Sequence, residues 1–220
     1  MLHSRFLAVP AALVLSLGAL ALSEDPKPQP KPTPEAPKVA EVGKPAPDFT
    51  LTGIDGKEVK LSDYKDKIVV LEWFNPGCPV VVRHHDKDSL KGTAGELTQS
   101  GIVWLAINSG APGQQGNGEE ANKKAAEKWG LKHPILVDEA GTVGRSYGAK
   151  TTPHMFVIDA KGVLAYAGAI DNDPSGEMKP EERINYVRAA VASLQKGEAV
   201  KTPTSKAYGC SVKYGKPPAQ

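Results

Sequence analysis

A chain of 220 residues, 40% hydrophobic and 24% charged, is long enough for one ordinary domain plus appendages and is neither disordered nor membrane-embedded in composition. Its formal net charge of +2, with no cluster of lysine and arginine, gives no electrostatic footprint for nucleic acid. The only two cysteines, Cys78 and Cys210, stand far apart, a pair that fits a structural disulfide, a redox couple or two independent thiols.

His3 and Arg5 precede an apolar run from Phe6 to Leu22, and Ser23 then leads into acidic Glu24-Asp25. A short positive region, an apolar core and small residues at a cut are the pattern of a secretory signal peptide over residues 1–23. The run only reaches the lower end of the roughly 17–25 apolar residues that span a bilayer, and an uncleaved membrane anchor is the competing reading. Export to the periplasm, the cell envelope or the extracellular space is therefore expected. Prolines at 26, 28, 30, 32, 34 and 37 make residues 24–40 an extended, polyproline-like linker. A domain over 41–197 and a tail over 198–220 follow.

The domain opens with Asp55-Gly56 between Leu51, Val59 and Leu61, a hairpin signal. Ile68 to Phe74 is β-branched and aromatic, as a strand buried on both faces should be. Asn75-Pro76-Gly77 breaks that strand, and Pro79 suits a first helical position because its missing N–H would have no intrahelical partner there. A helix is predicted from Pro79 into the low 90s, weakened late by Gly92 and Gly95. Ile102 to Ile107 reads as a second buried strand, Glu119 to Trp129 as a helix ended by Gly130, Pro134 to Val137 as a short strand and Ala140 to Tyr147 as a short helix. Met155 to Ile158 and Val163 to Ala167 flank Asp159-Ala160-Lys161-Gly162 as a hairpin. Ile184, Val187, Val191 and Leu194 at helical spacing predict a last helix from Pro180 to Leu194. The fold class is α/β, a mixed sheet with flanking helices.

Cys78 falls at the start of the first predicted helix. Free backbone N–H groups and the helix dipole favour an anion there, and so a thiolate over a thiol. Arg83, His84 and His85 add positive potential within two turns. The competing reading is a buried structural cysteine that ends a strand. Glu72, inside the buried strand, is unusual: it accepts a proton near Cys78 or caps a sheet edge. His84 and His85, adjacent on a helix, point about 100° apart, which argues against a shared metal, and no motif asks for a cofactor. The glycine-rich stretch from Asn108 to Gly118 lacks Gly-Lys-Ser/Thr and is no phosphate cradle; it is expected as a rim or lid over the cysteine.

Gly43-Lys44-Pro45-Ala46-Pro47-Asp48-Phe49, with Asp55-Gly56-Lys57 and Leu61-Ser62-Asp63-Tyr64, resembles the N-terminal hairpin of the alkyl hydroperoxide reductase/thiol-specific antioxidant family, which comprises the peroxiredoxins and their thioredoxin-fold relatives. Val69 to Pro79 is similar to the family's central strand and active-site turn. Thr151-Thr152-Pro153-His154-Met155-Phe156-Val157-Ile158-Asp159 is similar to the segment holding the cis-proline in thioredoxins. The resemblance covers residues 41–196 and implies a thioredoxin-like fold with an N-terminal β-hairpin. It also implies a cis Pro153 whose preceding backbone faces Cys78, with His154 beside the site as a proton holder or as ordinary packing.

The departures are as informative. Typical peroxiredoxins carry proline, threonine and arginine where this chain has Leu71, Asn75 and Pro153. The Cys-x-x-Cys of thioredoxins fails at Val81, and the Cys-x-x-x-Cys of copper-delivering relatives fails at Val82. Asn75 either aims its amide at a substrate oxygen or shapes the turn. Ala207 to Pro217 resembles the tail of two-cysteine peroxiredoxins, where a resolving cysteine follows the last helix. That likeness implies a mobile arm over 198–206 that brings Cys210 towards Cys78; a permanent staple and unpaired thiols stay open.

The function expected is that of an exported peroxiredoxin-like thiol oxidoreductase. Cys78 thiolate attacks a hydroperoxide or a protein or small-molecule disulfide, Cys210 resolves the product, and an external thiol reductant restores both. No nucleic-acid partner is expected, and membrane contact only through an uncleaved signal. The alternative is a non-catalytic thioredoxin-fold binding module with a structural Cys78–Cys210 bridge.

Overall fold

The computed structural model describes residues 39–216, so the expected signal peptide and the linker up to residue 38 lie outside the described residues. In chain order the elements are β1 (Thr50–Gly53), β2 (Glu58–Lys60), β3 (Val69–Trp73), α1 (Pro79–Asp86), α2 (Ser89–Gln99), β4 (Val103–Asn108), α3 (Glu119–Trp129), β5 (Ile135–Val137), α4 (Thr142–Ser146), β6 (Thr151–Thr152), β7 (His154–Ile158), β8 (Leu164–Gly168), α5 (Tyr186–Gln195) and β9 (Cys210–Ser211). Seven of the strands form one mixed sheet in the order β2-β1-β5-β4-β3-β7-β8, and β6 pairs with β9 as a second, two-stranded ladder. β3, β4 and β5 run parallel, while the β1–β2 and β7–β8 hairpins are antiparallel.

β3 sits between β4 and β7, which is why every one of its five residues is buried. Its side chains alternate between two cores, as strand geometry demands. Val69, Leu71 and Trp73 join Leu105, Ile107, Phe156 and Tyr147 on one face. Val70 joins Trp104, Met155, Val157 and the apolar stripe of α5 on the other. Phe74 and Cys78 continue that second side against Val81, Ala125 and Trp129.

Two helices depart from expectation. The helix after Cys78 breaks at Asp88, which takes a left-handed φ of 65°, and α2 then runs on through Gly92 and Gly95 to Gln99. At Gly92 the Asp88 carboxylate lies where a β-carbon would stand. The last helix begins at Tyr186 rather than Pro180, because the Asn185 side chain caps it by accepting from Arg188 N at 2.9 Å. Ile184, expected on its buried stripe, lies outside the helix and is 54% exposed.

The tail does not project. Ala167 N donates to Pro203 O at 3.1 Å and Ser205 N to Ala167 O at 3.2 Å, so the segment expected as a free arm is laid along β8. Beyond it, β9 runs antiparallel to β6 with Cys210 opposite Thr152 and Ser211 opposite Thr151.

Candidate active site

Cys78 is the N-cap residue of α1, in extended backbone with φ −78° and ψ 120°, and Pro79 follows at the first helical position. Its backbone N donates to Asn75 O at 3.0 Å, which closes the turn after β3. The side chain is 0% exposed. Its thiol donates to the backbone carbonyl of Thr152 at 3.1 Å. The Thr152–Pro153 peptide is cis, as the resemblance implies.

Burial alone would push the Cys78 thiol up. It is outweighed by the groups arrayed around the sulfur: the Cys210 thiol first, then the Val81 backbone N–H, the Thr152 hydroxyl and the Cys210 backbone N–H. Together they hold Cys78 below the ordinary thiol range, because each favours the anion. Cys210 moves the other way, raised by burial and by the neighbouring Cys78 sulfur. The two thiols thus shift in opposite directions, Cys78 down and Cys210 up. Both are free, Cys78 buried and Cys210 half-buried.

Asn75 is committed to the protein itself. Its Oδ1 accepts from Gly77 N at 2.8 Å and its Nδ2 donates to Gln115 O at 3.0 Å. The side chain shapes the turn and ties it to the glycine-rich loop, which reaches the cysteine's turn through Gln115 and Gly116. Gly116, at φ +73°, can be nothing else: a β-carbon would overlap the Asn75 amide oxygen. Asn108 holds the same loop by donating to Gly116 O at 2.8 Å.

His154 lies on β7 opposite Trp73, its ring 4.5 Å from that of Phe156, and its Nδ1 accepts from Lys150 N at 3.3 Å. Burial, with the Lys150 charge adding to it, lowers its pKa to about 4, so the ring is neutral at physiological pH. The two adjacent histidines part company as helix geometry requires. His84 Nδ1 stands 3.7 Å from Asp171 Oδ2, whereas His85 Nε2 stands 3.3 Å from Glu72 Oε1 and its ring stacks on Trp129 at 4.4 Å.

Glu72 is not at a sheet edge but on β3, an interior strand flanked by β4 and β7. Trp104 Nε1 donates to its Oε2 at 3.0 Å. Burial raises its pKa, but the His85 hydrogen bond and charge, with His133 and Trp104 behind them, bring it below the usual carboxylate range.

Three further residues belong to the site and were not among those singled out in the sequence. Thr152 offers a buried hydroxyl with no nitrogen or oxygen partner among the described residues. Tyr208 donates to Asp171 Oδ1, and its ring lies 5.5 Å from that of His84. Gly209, at φ +127°, lies against the Thr152–Pro153 peptide, where any β-carbon would overlap the Thr152 carbonyl. The available signal was the tripeptide Tyr208-Gly209-Cys210 itself.

A model of the AhpC/TSA family matches residues 42–167. The chain belongs to the AhpC/TSA family. Among family relatives it is 34% identical over 122 residues to the thiol-disulfide oxidoreductase ResA of Geobacillus thermodenitrificans, a match covering 55% of this chain and 65% of that one. The match thus spans just under two thirds of that relative's length. Peroxiredoxin-2 of Cricetulus griseus is 30% identical over 181 residues, covering 72% of this chain and 83% of that one. The crystal structure of an uncharacterized conserved protein from Geobacillus kaustophilus superposes with a TM-score of 0.72 at 31% identity, covering 82% of this chain and 94% of that one. The fold is thioredoxin-like.

Proposed function

We propose that the chain is a thiol oxidoreductase whose working couple is Cys78 and Cys210. The observation that carries this reading is the register of the β6–β9 ladder: Cys210 pairs with Thr152, the residue whose carbonyl accepts from the Cys78 thiol. The tail in this way supplies the second sulfur that Val81 does not.

The reaction proposed is thiol–disulfide exchange. Cys78 thiolate attacks one sulfur of a substrate disulfide, forms a mixed disulfide and releases the other sulfur as a thiolate, which takes up a proton. Cys210, once deprotonated, attacks the Cys78 sulfur, forms the Cys78–Cys210 disulfide and releases the second substrate thiol. Two electrons pass to the substrate, and an external dithiol returns them to the protein. The name of the ResA relatives supports this class of chemistry. The likeness to a peroxiredoxin supports a second reading, in which a hydroperoxide is the oxidant. Cys78 then becomes a sulfenic acid as alcohol or water leaves, and Cys210 displaces water to give the same disulfide. Exchange is placed first because Leu71, Asn75 and Pro153 stand where the family's peroxide-polarising proline, threonine and arginine would be.

The signal-like residues 1–23 support a site of action outside the cytoplasm. Among the described residues no helix is long and apolar enough to cross a membrane.

Peptide mapping by mass spectrometry tests the reading. After treatment of the reduced protein with glutathione disulfide, a Cys78–Cys210 linkage is expected in the parent and a persistent Cys78–glutathione adduct in Cys210→Ser. If Cys78 stays a free thiol in both, the reading is wrong. If it reacts only with hydroperoxide, the second reading replaces the first.

A further inference from the structure

The tail is fastened on both sides of Cys210. Upstream, Ser205 Oγ lies 2.6 Å from Tyr166 Oη and accepts from Ala169 N at 2.9 Å. Downstream, Val212 N donates to Lys150 O at 3.1 Å and Ala111 N to Lys213 O at 2.9 Å. Tyr214 Oη donates to Ala149 O at 2.9 Å, and its ring lies under the Arg145 guanidinium at 4.6 Å.

One further anchor is polar and ends on a buried carboxyl. Asp171 is fixed by Ser89 Oγ at 2.6 Å and by Asp173 N at 2.9 Å, and it receives the Tyr208 hydroxyl as a charge-assisted hydrogen bond. The loop that carries Asp171 is itself clamped to the helix of Cys78, through Arg83 Nη1 to Ser175 O at 2.7 Å and Lys87 Nζ to Gly176 O at 2.6 Å. Tyr208 thereby ties the tail to a rigid acceptor. Gly209 is the one residue type that lets the next peptide lie on Thr152–Pro153.

With the tail seated, Cys78 is fully covered and the backbone edge of β6 is taken by β9. A small reagent reaches the sulfur in a brief local opening. An extended polypeptide, which adds to such an edge as a strand, has to displace β9 first.

We infer that residues 203–216 are a latched strap that screens Cys78 from polypeptide substrates while admitting small disulfides and hydroperoxides, with Tyr208 as the latch and Gly209 as the seat. The inference deepens the proposed function and rests on its reading of Cys78 as the attacking thiol. Tyr208 and Gly209 are specificity-determining residues: they decide the size of the oxidant, not the bond that forms.

The test compares two probes of one chemistry, N-ethylmaleimide and a maleimide carried on a polyethylene glycol chain, in a Cys210→Ser background where Cys78 is the sole thiol. The polymer-borne probe is expected to lag far behind the small one. Tyr208→Phe removes a hydrogen bond to a charged group and is expected to raise labelling by the polymer-borne probe roughly tenfold or more, with a much smaller gain for N-ethylmaleimide. Gly209→Val, which cannot seat, is expected to do the same. An unchanged ratio of the two rates in both variants overturns the inference. Labelling needs no turnover, so the two readings fail separately. A screened Cys78 that never pairs with Cys210 keeps the strap and loses the redox couple; an unscreened one that does pair leaves the couple and loses the strap.

Discussion

Thr152 and Cys210 face each other across a two-residue ladder, and the Cys78 thiol donates to the Thr152 carbonyl at 3.1 Å. Backbone register thus brings the residue carrying the second thiol to the residue that accepts from the first. Slipping the ladder by one residue would turn Cys210 to the opposite face and present Ser211 or Gly209 instead.

The donors around Cys78 predict how its reactivity responds to substitution. Cys210→Ala removes the principal donor to the thiolate, and Thr152→Val removes a hydroxyl of similar shape. Each is expected to move the alkylation-versus-pH profile of Cys78 to higher pH, with Cys210→Ser moving it less because a hydroxyl remains. Iodoacetamide labelling across pH, read by mass spectrometry, checks this. A profile that stays put in Cys210→Ala and Thr152→Val alike would mean that the helix terminus alone sets the thiolate.

Glu72 predicts a stability effect. Leaving a buried donor without its acceptor typically costs roughly 1–3 kcal/mol. Glu72→Ala strands both Trp104 and His85 and belongs in that range. Glu72→Gln keeps an acceptor for Trp104 and is expected to cost less. Denaturant midpoints at fixed slope measure both, and an Ala variant as stable as the parent would show that the pair contributes nothing net.

Asn75 predicts a local effect. Asn75→Ala deletes the tie to Gln115 O and the turn bond to Gly77 N, worth about 1–2 kcal/mol together at the usual net value of a hydrogen bond. Amide exchange over residues 115–118 is expected to quicken more than exchange in β3 or β4. Uniform quickening across the sheet would instead mark global destabilisation.

Acid sensitivity follows from two histidines. Burial lowers His133 and His154 to about 4, against an ordinary value of 6.5, with Glu72 opposing the shift at His133 and Lys150 adding to it at His154. Below pH 6.5 the unfolded chain takes up protons that the folded chain refuses until pH is near 4. Stability therefore falls as pH drops across that window and is fully present above it. Urea midpoints between those limits should decline more gently in His154→Asn and His133→Asn. Parallel curves for parent and variants would assign the decline to other groups.

The sheet was legible because its strands are short apolar runs bounded by Gly, Pro and Asp-Gly, and periodicity reports such runs directly. The turn carrying Cys78 was legible for the same reason, since Asn75-Pro76-Gly77 and Pro79 each have one physical use there. What stayed hidden depends on contacts between distant segments. Asp88 leaves the helical region at a left-handed φ of 65°, a break that the helical spacing on either side does not signal. Asn185 starts the last helix because its side chain finds Arg188 N, while Pro180 and Ile184 carry the same formal signals without that bond. Tyr208 and Asp171 are unremarkable apart and meet only once the tail has crossed β8. Cys210 was singled out, but the ladder that aligns it is two residues long, below what any pattern of alternation reveals.

The two sulfurs are contributed by parts of the chain that depend unequally on one another. The seven-stranded sheet draws its core from residues between Phe49 and Val212, with its strands complete by Gly168, whereas the second thiol rides on the segment beyond the last helix. Loss of the segment beyond Val200 would thus leave the sheet's strands in place yet turn a two-thiol protein into a one-thiol protein, which is enough to change what kind of chemistry a given molecule can complete.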